Sequence, residues 1–176
     1  MSGNVLLCWQ YYQKAFQLKM NLAKELSNRV RQVFLDGTWI ANTNYNDQLI
    51  ELNWEQAVVK FENLNSVAAL TYHINYYLAG ILNVFKGGKL EIHDKYSFDM
   101  PAVTSESDWA LLRESLFKNA ASFAQYVEGM DDVRLEEDFV DKKYGSYIRN
   151  IEGVIEHSYY HLGQVSLIIK LLKDKT

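Results

Sequence analysis

Apolar residues recur at steps of three and four along four long stretches of the chain, the signature of helices that bury one face. In the first, from about Trp9 to Phe34, Tyr12, Phe16, Met20, Ala23, Leu26, Val30 and Val33 share a face, and Lys14, Gln17, Lys24, Asn28 and Arg31 take the others. Asp36-Gly37 ends it. The second starts near Asn63 or Asn65, either able to cap it, and stops at Gly87-Gly88; it is apolar on most sides, as expected of an element touched by several partners. The third is launched by Ser105-Glu106-Ser107-Asp108, a capping-box pattern, with a stripe of Trp109, Leu112, Leu116, Ala120, Phe123 and Val127 before Gly129. The fourth runs from Ser146 to about Lys173 on Ile151, Ile155, Ser158, Leu162, Val165, Ile169 and Leu172.

The segments between them read differently. Thr38 to Phe61 is polar and rich in Asn; it predicts one short helix from Asn46 to Leu52, with Trp39 and Trp54 folding back against the body. From Lys89 to Met100, Leu90 and Ile92 and then Phe98 and Met100 alternate with polar residues, predicting an extended crossover or a short hairpin that Pro101 ends. Asp131 to Lys143 is an acidic linker anchored by Val133, Leu135 and Phe139. With a single Pro and few turn signals, long unbroken helices are expected and a multi-stranded sheet is not. The economical solution is an all-α fold: a four-helix bundle forming one domain over residues 1–176, with a longer crossover between helices 2 and 3.

Composition refines this picture at three points. Asn63 to Phe85 lacks Lys, Arg, Asp and Glu over a length that could span a bilayer, but Asn65, His73, Asn75 and Asn83 and the amphipathic neighbours make it the most enclosed helix of a bundle. A formal net charge of −4, with basic residues scattered, gives no phosphate track for nucleic acid. One cysteine, Cys8, excludes a disulfide framework, a thiolate zinc site and a cysteine-ligated iron–sulfur cluster; with no secretory signal visible, the expected compartment is the cytoplasm. No phosphate loop, dinucleotide fingerprint, serine elbow or paired-carboxylate di-metal motif is present, so kinase, dehydrogenase and esterase readings lack residues to stand on.

Candidate chemistry therefore concentrates in histidine. Of four His, three lie in long helices. His157 and His161, four apart, put both rings on one face of the last helix, beside its apolar stripe, and His73 sits mid-way along the uncharged second helix. Two His at this spacing plus a third from a facing helix can surround one divalent ion and leave a coordination position open, as a catalytic zinc requires; nickel, cobalt, manganese or iron would also accept imidazole. The spacers Ser158, Tyr159 and Tyr160 exclude a thermolysin-type site, which needs Glu after the first His. The competing readings are a non-catalytic metal- or ligand-binding bundle, and a purely structural bundle with separately hydrogen-bonded rings.

His-Ser-Tyr-Tyr-His-Leu-Gly-Gln at 157–164 resembles the signature on the last helix of the DinB/YfiT-like superfamily, and Ser66 to Ile74 is similar to that family's segment around a second-helix histidine. The resemblance implies a four-helix bundle of DinB/YfiT type and a divalent metal, zinc or nickel foremost, held by His73, His157 and His161. It also implies a bacterial homodimer acting on a small molecule as a hydrolase or a thiol-dependent transferase. The chain departs from the pattern in its elaborate 86–101 crossover and in lacking an obvious basic clamp for an anionic thiol.

Other polar residues take weaker roles. Asp94 and His93 of the crossover, and Tyr160 beside His161, are candidates for catalysis; Gln164 and Tyr77 are candidates to contact the ligand histidines. Tyr76 and Tyr159 line the same region of sequence. Gly80 and Gly163 are expected to let the second and fourth helices approach, and Glu156 to face the polar side of its helix.

Overall fold

A computed structural model describes residues 22–174. The described part of α1 covers 22–34. Then follow α2 (Tyr45–Leu49), α3 (Trp54–Ala57), α4 (Val67–Phe85), α5 (Glu106–Glu128), α6 (Asp132–Glu136) and α7 (Tyr147–Lys173). Single 3-10 turns stand at Asp94–Tyr96 and Lys142–Tyr144. The fold is all-α, a core of four helices, α1, α4, α5 and α7, with short helices in the connections. Trp9, Tyr12, Phe16, Met20 and Cys8 lie outside the described residues.

The helices α4, α5 and α7 each begin where a serine can take up an orphan N–H. Ser66, Ser105 and Ser146 accept from the amides of Ala69, Asp108 and Arg149. The second long helix is thus capped by Ser66 and not by Asn63 or Asn65, which fall in the preceding turn; serine wins because its hydroxyl stands where the first apolar face begins. Asp108 reaches back to the amide and hydroxyl of Thr104, strengthening the start of α5. At the end of α4, Gly87 takes φ +88° and the Gly88 amide bonds the Asn83 carbonyl, a glycine-dependent stop.

The bundle closes on a continuous core: Val30 and Phe34 of α1, Leu70, Ile74 and Leu78 of α4, Leu116 and Phe123 of α5, and Ile151, Leu162 and Val165 of α7 are all buried. A buried Ser27 hydroxyl donates to the Ala124 carbonyl at 2.8 Å, joining α1 to α5. Trp109 at the start of α5 is fully buried, its indole donating to the Leu52 carbonyl at 2.8 Å. Tyr45 stacks on Phe34 and donates to the Ser158 carbonyl, pinning α2 to α7.

Side-chain pairing sets the directions. Asn75 meets Ser115 and Asn119, and Phe85 meets Phe123, so α4 and α5 run the same way. Phe85 stacks on Tyr147 and Tyr77 meets His157, so α7 runs antiparallel to α4. Two sequential helices that run in parallel need a connection that returns the length of the bundle. That is the work of the 86–105 crossover. It retraces α4 step by step: Asn83 donates to the Lys89 carbonyl, Gly80 faces Ile92, Tyr76 exchanges hydrogen bonds with the His93 backbone, Tyr77 donates to Asp94, and Phe98 stacks on His73.

Several sequence expectations need correction. Of the two forms expected for 89–100, the crossover is the one present and the hairpin is not; it is held by α4 side chains, which replace ladder bonds. The first connection holds two short helices, the first being Tyr45–Leu49 and not Asn46–Leu52, because Asn44 and Asn53 each supply a side-chain cap. Trp54 packs on the core, but Trp39 is 81% exposed beside Ile40. Val133 is exposed too, leaving Leu135 and Phe139 to anchor the acidic linker, which coils into α6. Gly80 makes room for Ile92 of the crossover and not for α7, and Gly163 is exposed with open space around it. No helix among the described residues is long and apolar enough to cross a membrane.

Candidate metal centre

The antiparallel pairing of α4 and α7 brings His73, the seventh residue of α4, opposite the two-His turn of α7. His157 and His161 share one face because four residues are slightly more than one turn. The three imidazoles converge: Nε2 of His157 lies 3.3 Å from Nε2 of His73 and 3.0 Å from Nε2 of His161. His73 and His161 are buried and His157 is half-buried.

Hydrogen bonding alone does not account for this contact. Each ring nitrogen has one in-plane position, filled by a proton or by a lone pair. Nε2 of His157 faces two partner nitrogens at once and can serve only one of them. Nδ1 of His73, buried, makes no well-formed hydrogen bond, the Ser97 backbone being its nearest polar neighbour. A cation at the centre resolves the first conflict, since three lone pairs can all point at it. The spacing suits an ion: all three ligand nitrogens lie within 4.8 Å of one another, and the two edges that run through His157 match the ~3.3 Å that a tetrahedral ion ~2.05 Å from each nitrogen sets between neighbours.

Neighbouring groups prepare the rings for such a role. Oε1 of Gln164 lies 3.0 Å from Nδ1 of His161, which fixes the proton there and leaves Nε2 as a lone pair. Burial lowers the pKa of all three imidazoles, holding them neutral. For His73 burial, then the adjacent His161 and His157, bring it to about 4, only partly opposed by the Ser97 backbone and Asp94. His157 is lowered by burial and by His161; His161 is lowered by burial, against the Gln164 bond. Neutral imidazole is the form that binds a metal.

Aromatic rings wall the cluster. Phe98 stacks on His73 with centroids 4.1 Å apart and planes 13° from parallel, and Tyr77 sets its edge against both His73 and His157. The Tyr77 hydroxyl donates to Asp94 Oδ1 at 2.7 Å. Burial, followed by the Asp94 contact, raises the Tyr77 pKa, so the phenol keeps its proton. Tyr160, 65% exposed, sets its ring edge-on to His161.

Of the residues singled out from sequence, His73, His157 and His161 come together, with Gln164 and Tyr77 in contact with them and Asp94 one hydrogen bond further out. His93 does not join them. Its backbone is held by Tyr76 while its ring lies against Tyr96. Glu156 is exposed and pairs with Arg149 at 3.0 Å, turned from the cluster. Tyr159 faces α1, lining a cavity with Glu25, Arg29 and Trp39. Sequence reasoning missed Phe98 as a wall of the site. Its signal was there, an apolar residue in a polar crossover, but only the return path along α4 sets it over His73.

A second cavity, of about 430 Å³, opens beside the cluster along α4 and α7, with His157 and Tyr77 at one end. Comparisons of the chain with protein-family models, with curated proteins and with solved structures find no match.

Proposed function

We propose that the chain is a divalent-metal-dependent enzyme, with the ion held by His73, His157 and His161, and that it acts on a small molecule as a hydrolase or thiol-dependent transferase of the DinB/YfiT-like type. The observation that carries this reading is the approach of Nε2 of both His73 and His161 to Nε2 of His157, which leaves two nitrogens competing for one position there. Three protein ligands leave a fourth position for a reactant, the composition of a catalytic rather than a closed site.

A divalent ion there supplies Lewis acidity toward a bound water, thiol or carbonyl. Gln164 holds His161 in the ligating tautomer. Phe98 and Tyr77 fix the His73 ring and exclude water from one side. Asp94, bonded to Tyr77 through Oδ1, is the acceptor we assign to the proton released at the mouth, and Tyr160 is placed to contact a bound molecule from the solvent side. Zinc and nickel suit an all-imidazole set, with manganese, iron and cobalt following. The same reading makes the protein a cytoplasmic homodimer.

Elemental analysis of tagless protein tests it. We expect one equivalent of divalent metal per chain, lost in His161→Ala at unchanged helix content, and turnover on a panel of thiol, amide and ester substrates that stops on chelation. Metal content equal in parent and variant would defeat the ligand assignment; bound metal without turnover on any substrate would reduce the protein to a metal-stabilised bundle.

A further inference from the structure

The groove beside the histidines carries an unexplained glycine. Arg149, Gly153, His157 and His161 stand four residues apart, forming one stripe along α7, and the first three line the groove. Gly153 sits deep in a 27-residue helix, where glycine is about 1 kcal/mol worse than alanine. No close approach demands it: a Cβ built there meets nothing within 4 Å. Gly163 is similarly open, but it does not line the groove, and nothing in the structure explains it.

The groove has a chemical direction. At the cluster end are His157 and Tyr77; Ile81 and Val154 form apolar walls around the bare Gly153 floor; the other end is polar, with Tyr144, Asn150 and Arg149, the only Lys or Arg lining the groove among the described residues. Arg149 gives one N–H to Glu156, and a guanidinium has five. The backbone positions of Arg149 and His157 are eight steps, about 12 Å, apart along the axis, and the guanidinium leans along the helix to meet Glu156 at 3.0 Å.

We infer that this groove holds the body of the substrate, and that the substrate is an elongated molecule with an apolar chain, reacting at the histidine cluster and carrying an anionic group at its remote end. Gly153 keeps the floor low enough for the chain to lie against α7, and Arg149 receives the anion. This rests on the metal reading of the three histidines, since it takes their site as the reacting end.

Zinc-loaded protein titrated calorimetrically with three hydroxamates tests it. Acetohydroxamate reports the metal position alone, octanohydroxamate adds the chain, and the monohydroxamate of octanedioic acid adds a terminal carboxylate. The chain should tighten binding at least about tenfold, the equivalent of roughly two buried methylenes. The carboxylate should add a further ~2- to 5-fold, as for a partly exposed ion pair. Gly153→Leu should abolish the chain's gain while zinc and acetohydroxamate bind as before, and its melting temperature should not fall, which separates a filled groove from a damaged fold. Arg149→Met should remove only the carboxylate increment.

Octanohydroxamate no tighter than acetohydroxamate, or a Gly153→Leu protein that keeps the chain's gain, would overturn the groove assignment. A carboxylate increment that survives Arg149→Met would overturn the anionic end. Failure to bind zinc would bring down the metal reading and this inference together, and is distinguishable because acetohydroxamate binding is then lost in the parent protein as well.

Discussion

Two alanine substitutions, chemically identical and both within long helices, should differ in their effect on stability, one raising it and the other not. At Gly80 an added Cβ would lie 2.2 Å from Cγ2 of Ile92. Carbon atoms in contact rest ~3.5–4.0 Å apart, so the crossover must lift or Ile92 must leave its rotamer. Such crowding costs about 1–3 kcal/mol, against a helix-propensity gain of about 1 kcal/mol. At Gly153 the same Cβ meets open space, and the propensity gain stands alone. We therefore expect Gly153→Ala to raise the melting temperature by about 2–4 °C and Gly80→Ala to lie ~2–12 °C below it, by differential scanning calorimetry. Because Ile92 belongs to the strap that carries Asp94 and Phe98 over the histidines, Gly80→Ala should also weaken zinc binding, and Gly153→Ala should leave it alone. If both proteins shift upward by the same amount, the crossover does not press on α4 as described, and the argument that it positions Phe98 falls with it.

Replacing Gln164 by Leu should lower zinc affinity ~10- to 100-fold by releasing the His161 tautomer, with Gln164→Glu recovering part of the loss; calorimetric titration of both variants checks this. An unchanged affinity in the Leu variant would leave Gln164 without a part in the site. The metal-free protein should grow less stable in acid. His73 ordinarily titrates near 6.5 and is held at about 4 in the fold, so the unfolded chain binds the proton more readily; the stabilisation is complete above pH 6.5, declines below it and is gone under pH 4. Urea midpoints for chelator-treated protein across that range should therefore fall with pH, and zinc should shift the fall to lower pH while it stays bound. A flat profile would mean that His73 is not shielded from water.

Much was legible in the sequence because it depends on local periodicity. The three-and-four spacing of Leu26, Val30 and Val33, or of Ile151, Ile155 and Leu162, declares which face is buried whatever packs on it. The pair His157 and His161 is of the same kind: one helix brings the rings together unaided. Caps were less certain, since Asn63, Asn65 and Ser66 compete within four residues and the choice falls to the one whose hydroxyl meets the first turn of the buried face. The exposure of Trp39 and Val133 could not be read at all, because apolar character in a connection does not say where that connection runs.

What required the tertiary structure was the meeting of elements distant in the chain. His73 and His157 are 84 residues apart and touch only because α7 runs antiparallel to α4. The composition of the first connection, the return of the crossover down α4, the stacking of Phe98 on His73 and the groove floored by Gly153 follow from packing directions, which no single helix encodes. Sequence fixes a helix's own faces through its pitch; which face of another helix it meets is decided by the bundle as a whole, through burial of the shared core.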